Sequence, residues 1–269
     1  MSNKISVVMP AYNEAQHIVS NLLETVNTLS DFEYDFEVIV VDDGSPDKTY
    51  IEAARLLSSH PERVRVVHYD NNSGKGHALM TGSWFARGDY IVFLDADMDL
   101  HPAQVPTLLG IAEATNADVV IGSKAHPLSD VNYPRKRRVY SWGYYALVRA
   151  LFGLPVKDTQ TGLKVFKREV LQRVFPRILA KRFAFDIEVL ANAHRLGYKI
   201  ESAPITLDFR RSLGRINWRD VAKVMCDTLA IFYRMRILRY YDRLEDRRLE
   251  TLPVEDWARE IGVPVEISA

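Results

Sequence analysis

A single cysteine, Cys226, occurs in 269 residues. That scarcity excludes an internal disulfide and any metal site built on several thiolates, and it fits a reducing compartment. Charge of one sign is not in excess either: 35 Lys and Arg offset 35 Asp and Glu. Overall charge therefore indicates no polyanionic partner, and no strand interleaves basic with aromatic residues, so no nucleic acid is expected to bind. Long apolar runs are also missing. Ile5 to Met9 is too short for a secretory leader and stops at Pro10, and no stretch reaches the roughly 18 uncharged apolar residues of a membrane span. Even the apolar segment Val221 to Tyr241 is interrupted by Lys223, Asp227, Arg234, Arg236 and Arg239. There is no internal repeat and no low-complexity tract. The expectation is a soluble or peripheral protein of the cytoplasm.

What is present is a succession of short β-branched runs, at Ile5–Met9, Phe36–Val41, Val64–His68, Tyr90–Leu94 and Val119–Ile121, separated by segments of helical pattern. Strand alternating with helix predicts one α/β domain around a mostly parallel sheet. The helices are expected to begin near Glu14, Ser45, Lys75 and Pro102, with Ser45 as a cap and Pro46 at the first helical position. Beyond Gly122 the alternation lapses. Ser123 to Arg138, which includes the run Arg135-Lys136-Arg137-Arg138, reads as a long mobile loop. A helix over Val139–Phe152 follows, then a strand over Leu163–Phe166, helices over Arg168–Phe175 and Phe185–Leu196, and strands over Lys199–Ala203 and Ile205–Phe209. From Trp218 to Tyr241, the positions Trp218, Val221, Met225, Leu229 and Phe232 follow helical spacing. Such an amphipathic helix either packs on the body or lies in a membrane interface.

In a parallel sheet, ligands gather beyond the carboxyl ends of the strands, and the chemically suggestive residues all fall there. Asp95-Ala96-Asp97-Met98-Asp99 directly follows the fourth apolar run. Carboxylates at alternate positions of an extended chain share one face and repel unless a cation sits among them, which predicts a divalent metal with a phosphate on its far side. The competing reading is a solvated acidic turn before a helix. Asp42 and Asp43, after the second run, could accept hydrogen bonds from a ribose or a base, or could cap a turn. Asn71 to His77 is a small-residue loop opening a helix. Its backbone N–H groups and Lys75 could meet a phosphate, though it lacks Walker A spacing.

Together, Pro10-Ala11-Tyr12-Asn13-Glu14, Asp42-Asp43-Gly44-Ser45, Gly74-Lys75-Gly76 and Asp95-Ala96-Asp97 stand in an order that resembles the family-two inverting glycosyltransferases, over roughly residues 4 to 240. The later blocks Phe93–Pro102, Gly122-Ser123-Lys124, Asp158–Phe166 and Phe209–Arg215 are similar to the polyprenyl-phosphate hexose synthases, of which dolichyl-phosphate mannose synthase and dolichyl-phosphate glucose synthase are the reference members. Asp158-Thr159-Gln160 with Lys164 is nearer the glucose type.

The resemblance implies a single-domain nucleotide-sugar-binding fold of the GT-A type, spanning residues 1–215, with a C-terminal amphipathic helix and tail over 216–269. It implies that Pro10, Tyr12, Glu14 and Asp43 line the base and ribose with Asp42 beside them, and that Lys75 lies close to the nucleotide. Asp95 and Asp97 would hold Mg²⁺ or Mn²⁺, with Asp99 available as a third ligand where relatives often carry glutamine. Lys124 stands where many relatives have arginine. Arg211 and Arg215, with Arg210 and the run Arg135–Arg138, supply cations for a phosphate.

The implied reaction moves a hexose from UDP-glucose or GDP-mannose, with inversion, to polyprenyl phosphate at the cytoplasmic face of a membrane. Contact with the membrane would come from the chain itself or from a separate membrane protein. Asp97, Asp158 and Arg211 are the expected catalytic groups. The first alternative is the same fold with a hydroxyl acceptor in polysaccharide or glycolipid synthesis, where Asp158 would have to remove a proton. A nucleotide-binding partner protein without turnover is the second. His77 and His101 are expected to be structural.

Overall fold

The computed structural model describes residues 4–57, 59–131, 135–180, 184–208, 218–243 and 266–268, with side chains described outside 135–142, 218–221 and 266–268. Strands β1 (Lys4–Ala11), β2 (Asp35–Asp43) and β3 (Val64–Tyr69) alternate with helices α1 (Ile18–Ser30) and α2 (Thr49–Ala54); α3 (Lys75–Phe85), β4 (Tyr90–Phe93), α4 (Val105–Thr115) and β5 (Val119–Gly122) complete the first half. The second half runs β6 (Asp130–Val131), α5 (Arg135–Phe152), β7 (Lys164–Lys167), α6 (Arg168–Val174), α7 (Phe185–Arg195), β8 (Ile200–Ala203), β9 (Thr206–Leu207), α8 (Trp218–Phe232), α9 (Tyr240–Arg243) and β10 (Glu266–Ser268).

The main sheet has the order β10-β3-β2-β1-β4-β7-β5-β8, and β6 pairs with β9 separately. β1 runs parallel to both β2 and β4, and β2 parallel to β3. Alternation along each strand divides the core between the two faces of this sheet. Val7, Met9, Val38, Val40 and Val92 pack under α1 and α4, whereas Val8, Ile39, Val41, Ile91 and Phe93 pack under α3, α6 and α7. Strands this thoroughly covered are why the sequence shows continuous apolar runs rather than alternation. In α1, Ile18, Leu22, Val26 and Leu29 are buried at helical spacing, each contributing about 1.5–3 kcal/mol of transfer free energy.

The sheet is mostly parallel, as expected, with β7 antiparallel between β4 and β5 and β10 antiparallel to β3. Two expectations need correction. α2 starts at Thr49, not Ser45: the Ser45 hydroxyl is drawn to Asp42 and accepts the Asn13 N–H at 3.0 Å, while Asp47 takes the Thr49 N–H at 3.0 Å. α1 opens near Glu14, as expected: the Glu14 carbonyl accepts the His17 and Ile18 N–H groups at 2.9 Å and its N–H meets Thr49 Oγ1 at 2.8 Å, before the regular helix begins at Ile18. Residues 123–131 are not a mobile loop. Ser123 N–H donates to Ala203, and the Ser129 hydroxyl donates to Ser123 O at 2.6 Å while accepting from Ile205 N at 2.9 Å. The basic run Arg135–Arg138 forms the first turn of α5.

α8 continues through a π-helical stretch, Tyr233–Ile237, before α9. Its inward side is Thr228, Ile231 and Met235, while Leu229 faces out. Of the expected stripe, Leu229 is turned outward while Phe232 packs against Phe152 and the core, with Tyr144 Oη 3.0 Å from Thr228 Oγ1 across the α5 contact. Fully buried Glu188 fastens the segment: it accepts from Tyr241 Oη, from Arg234 at 3.2 Å, and from the N–H groups of Leu179 and Ala180 at 2.9 and 2.6 Å. No helix of the described residues is long and apolar enough to cross a membrane.

Candidate active site

A cleft of about 420 Å³ opens at the carboxyl ends of β1, β2 and β4, lined by Pro10, Ala11, Tyr12 and Glu14 from the first loop, Asp43 from the second, Asn72, Gly74 and Lys75 from the third, and Asp95, Ala96 and Asp97 from the fourth. Sheet topology accounts for the convergence, since β1 is central and its two parallel neighbours end beside it. Seven expected site residues therefore share one cleft. Tyr12, 44% exposed, presents its ring at the mouth, a surface on which a flat ring can stack.

Asp42 and Asp43 are adjacent but do different work. Consecutive strand residues point to opposite faces, and the parallel register places Asp42 opposite His68 and Asp43 opposite Tyr69. Asp42 is fully buried, bonded to His68 Nδ1 at 2.8 Å and to Ser45 Oγ, and it does not line the cleft. Burial pushes its carboxyl up, against the lowering effect of Ser45 and His68. Asp43 organises the glycine loop, accepting from Tyr69 Oη at 2.7 Å, Ser73 N at 2.8 Å, Gly74 N at 2.9 Å and Asn72 Nδ2 at 3.1 Å. Two of the N–H groups expected to meet a phosphate, those of Ser73 and Gly74, are thus occupied by Asp43. At Gly44, φ is +62° and a Cβ would stand 2.6 Å from the Asn71–Asn72 backbone, so only glycine lets the two loops touch.

Lys75 and the acidic segment form the charged floor. Nζ of Lys75 is 2.5 Å from Oδ1 of Asp95. Burial pulls the ammonium down, yet Asp95, Asp186 and Asp97 outweigh it and its affinity for the proton is raised. Asp97 is pushed up to about 6 by burial and by the carboxylates of Asp95 and Asp99. β4 ends at Phe93, and the chain turns at Met98, with φ +60°, as Asp97 Oδ1 accepts the Asp99 N–H at 3.1 Å. Asp99 thus gives its backbone N–H to Asp97 and does not line the cleft.

The donor set fits a divalent cation in one form. Asp95 and Asp97 offer hard carboxylate oxygens whose mutual crowding a cation relieves, while no group of three or more His, Cys, Asp or Glu side chains is arranged for a metal among the described residues. Two carboxylates, with a diphosphate and water completing the shell, is the way Mg²⁺ is commonly held at phosphate sites.

Other expected residues lie apart. Asp158 precedes β7 and accepts Lys124 N at 3.1 Å and Gln160 N at 3.2 Å, with Lys124 Nζ at 3.3 Å; neither Asp158 nor Lys124 lines the cleft. Arg210, Arg211 and Arg215 lie outside the described residues. His77 is buried against Tyr69, and His101 Nε2 is 3.0 Å from Glu24. Sequence reasoning missed the pairing of Lys164 with Asp186 at 2.6 Å; its signal was a lysine within the apolar run Leu163–Phe166.

Residues 6–175 match the model of Glycosyl transferase family 2. Glycosyltransferase AglD of Haloferax volcanii is 35% identical over 204 residues, which is 75% of this chain and 32% of that protein. The dolichyl-phosphate beta-glucosyltransferase of Dictyostelium discoideum is 32% identical over 219 residues, 75% of this chain and 65% of that enzyme. The chain thus spans a third to two thirds of the length of these relatives. Among solved structures, glucosyl-3-phosphoglycerate synthase from Mycobacterium tuberculosis, in complex with Mn²⁺, uridine diphosphate and phosphoglyceric acid, superposes with a TM-score of 0.63 at 26% identity, covering 86% of this chain and 78% of that one.

Proposed function

Because the chain belongs to glycosyl transferase family 2, we propose that it transfers a hexose from a nucleotide sugar, with inversion, to the phosphate of a polyprenyl phosphate. The observation that carries this reading is the Lys75–Asp95 pair beside Asp97 on the floor of the cleft. The dolichyl-phosphate relative supports the lipid acceptor, and UDP-glucose is the favoured donor over GDP-mannose because that relative is a beta-glucosyltransferase and the similar solved structure holds uridine diphosphate.

Tyr12 and Pro10 would receive the base, Glu14 and Asn72 the ribose edge, and Lys75 the diphosphate. Asp95 and Asp97 would hold Mg²⁺ or Mn²⁺. When bound, that ion supplies positive charge against the departing nucleoside diphosphate. Lys75 adds a second cation there, and to reach the diphosphate it must give up part of its contact with Asp95. The nucleophile needs no strong base, because a phosphate monoester with a second pKa of about 6 is already anionic at neutral pH. Asp158 is suited to that chemistry: with its oxygens engaged by Lys124 and Gln160, it holds the loop instead of taking a proton. Arg211 and Arg215 are assigned to the acceptor phosphate. On this reading the enzyme works at the cytoplasmic membrane face, contacted through the exposed Leu229, Tyr233 and Ile237 or through a separate membrane protein.

The test is purified protein with Mn²⁺, polyprenyl phosphate and labelled UDP-glucose or GDP-mannose, in parallel with phosphoglyceric acid as a hydroxyl acceptor. Organic-extractable label from UDP-glucose is expected. Label that passes only to phosphoglyceric acid would replace the lipid acceptor with a hydroxyl one.

A further inference from the structure

Lys164 is 1% exposed, an unusual position for a lysine. It sits at the first residue of β7, opposite Phe93 of β4 and Ile121 of β5, directly under the rim that carries the cleft. Its Nζ donates to Asp186 Oδ1 at 2.6 Å and to the carbonyl of Thr161 at 2.5 Å. One buried ammonium therefore ties the loop 158–162 to the start of α7. The same end of α7 is pressed against α3, since a Cβ at Gly76 would stand 2.5 Å from Phe185. Asp186 also contributes to the charge around Lys75.

The tethered loop meets the donor floor directly. A Cβ at Gly162 would lie 2.1 Å from Asp95 Oδ2, so the loop backbone is laid against the carboxylate assigned to the metal. Asp158 closes the other end of the loop on Lys124. Between them, Gln160 Nε2 and Thr161 Oγ1 are buried without a hydrogen-bond partner among the described residues. Buried polar atoms are rarely left unpaired, and a ligand is one explanation when several occur together.

We propose that Lys164 is a positioning residue, whose buried ammonium holds the 158–162 loop against Asp95 so that Gln160 and Thr161 are presented to the hexose or the acceptor phosphate. Nucleotide binding does not depend on this tether, whereas transfer does. The inference rests on the transfer reaction proposed above.

The experiment compares the wild type with Lys164→Met or, should that chain not fold, with Lys164→Met/Asp186→Asn, which leaves no unpaired buried charge. Expected are a Kd for uridine diphosphate with Mn²⁺ within about threefold of wild type, kcat lowered at least about tenfold, and backbone hydrogen exchange over residues 158–163 accelerated at least about tenfold. A folded variant with wild-type kcat and unchanged exchange in that loop overturns the proposal; so does a variant whose nucleotide affinity falls as far as its kcat. If the wild type itself makes no product, the transfer reading fails, while loop exchange and nucleotide affinity still decide the role of Lys164.

Discussion

The ammonium of Lys75 occupies one oxygen of Asp95 at 2.5 Å, so the cation of the cleft and the first carboxylate of the acidic segment neutralise one another before any ligand enters. The pair acts as an internal stand-in for part of the charge that metal and diphosphate bring.

It follows that Lys75→Met frees Asp95 for a cation while removing a contact to the diphosphate. Calorimetric titration of the nucleotide-free variant with Mn²⁺ is expected to give affinity about threefold or more above wild type, with hexose transfer reduced about 100-fold, the scale of losing one stabilising group at a developing charge. Weaker Mn²⁺ binding in the variant would contradict this account of the pair.

Asp97 makes the metal-free protein sensitive to pH. Its carboxyl is raised to about 6 in the folded state from an ordinary 3.8, so the folded chain favours the protonated form. The stability this provides is fully present below about pH 4 and is lost as pH rises through about 6. Chelator-treated protein should lose stability from this group between pH 4 and 7, Asp97→Asn should flatten that slope, and Mn²⁺ should raise the melting temperature more at pH 7 than at pH 5. Melting curves over that range provide the check.

Asp43 is the keystone of the third loop through four donors. Asp43→Ala leaves the N–H groups of Ser73 and Gly74 without their acceptor, which is expected to cost about 1–3 kcal/mol in urea unfolding and to weaken uridine diphosphate binding. Asp42→Asn is expected to leave nucleotide affinity nearly unchanged, since Asp42 is walled off by His68 and Ser45.

Glu188 governs the C-terminal segment. Glu188→Ala strands Arg234 and two backbone N–H groups and is expected to cost about 3–5 kcal/mol, the range for breaking a buried ion pair. Tyr241→Phe removes only one donor and should cost about 0.5–1.5 kcal/mol, with hydrogen exchange accelerated over residues 233–243. Exchange unaltered there would show that the segment is held by packing alone.

Much of this is legible in the sequence because strand cores buried on both faces leave unbroken β-branched runs, and because the loops that follow such runs meet in one cleft. Tyr12, Asp43, Lys75, Asp95 and Asp97 are brought together there. The direction of β7 was not legible: Lys164–Lys167 reads alike in either sense, and orientation is fixed only by pairing with β4 and β5. The division of labour between Asp42 and Asp43 was hidden as well, since it depends on which of them meets His68 across β3. Asp99 looked equivalent to its neighbours until the positive φ of Met98 turned it aside. Lys164 and Asp186 are separated by a helix and a turn, and no local pattern announces their bond.

The reversed strand has a consequence for how such a chain can diversify. Because β7 enters the sheet where β4 and β5 leave it, with Lys164 level with Phe93 and Ile121, the segment before it arrives at the donor's threshold from an independent stretch of chain. Gln160 and Thr161 can therefore be exchanged without altering the first four strands, so new recipients for the sugar are reachable while Gly162 keeps its place against Asp95.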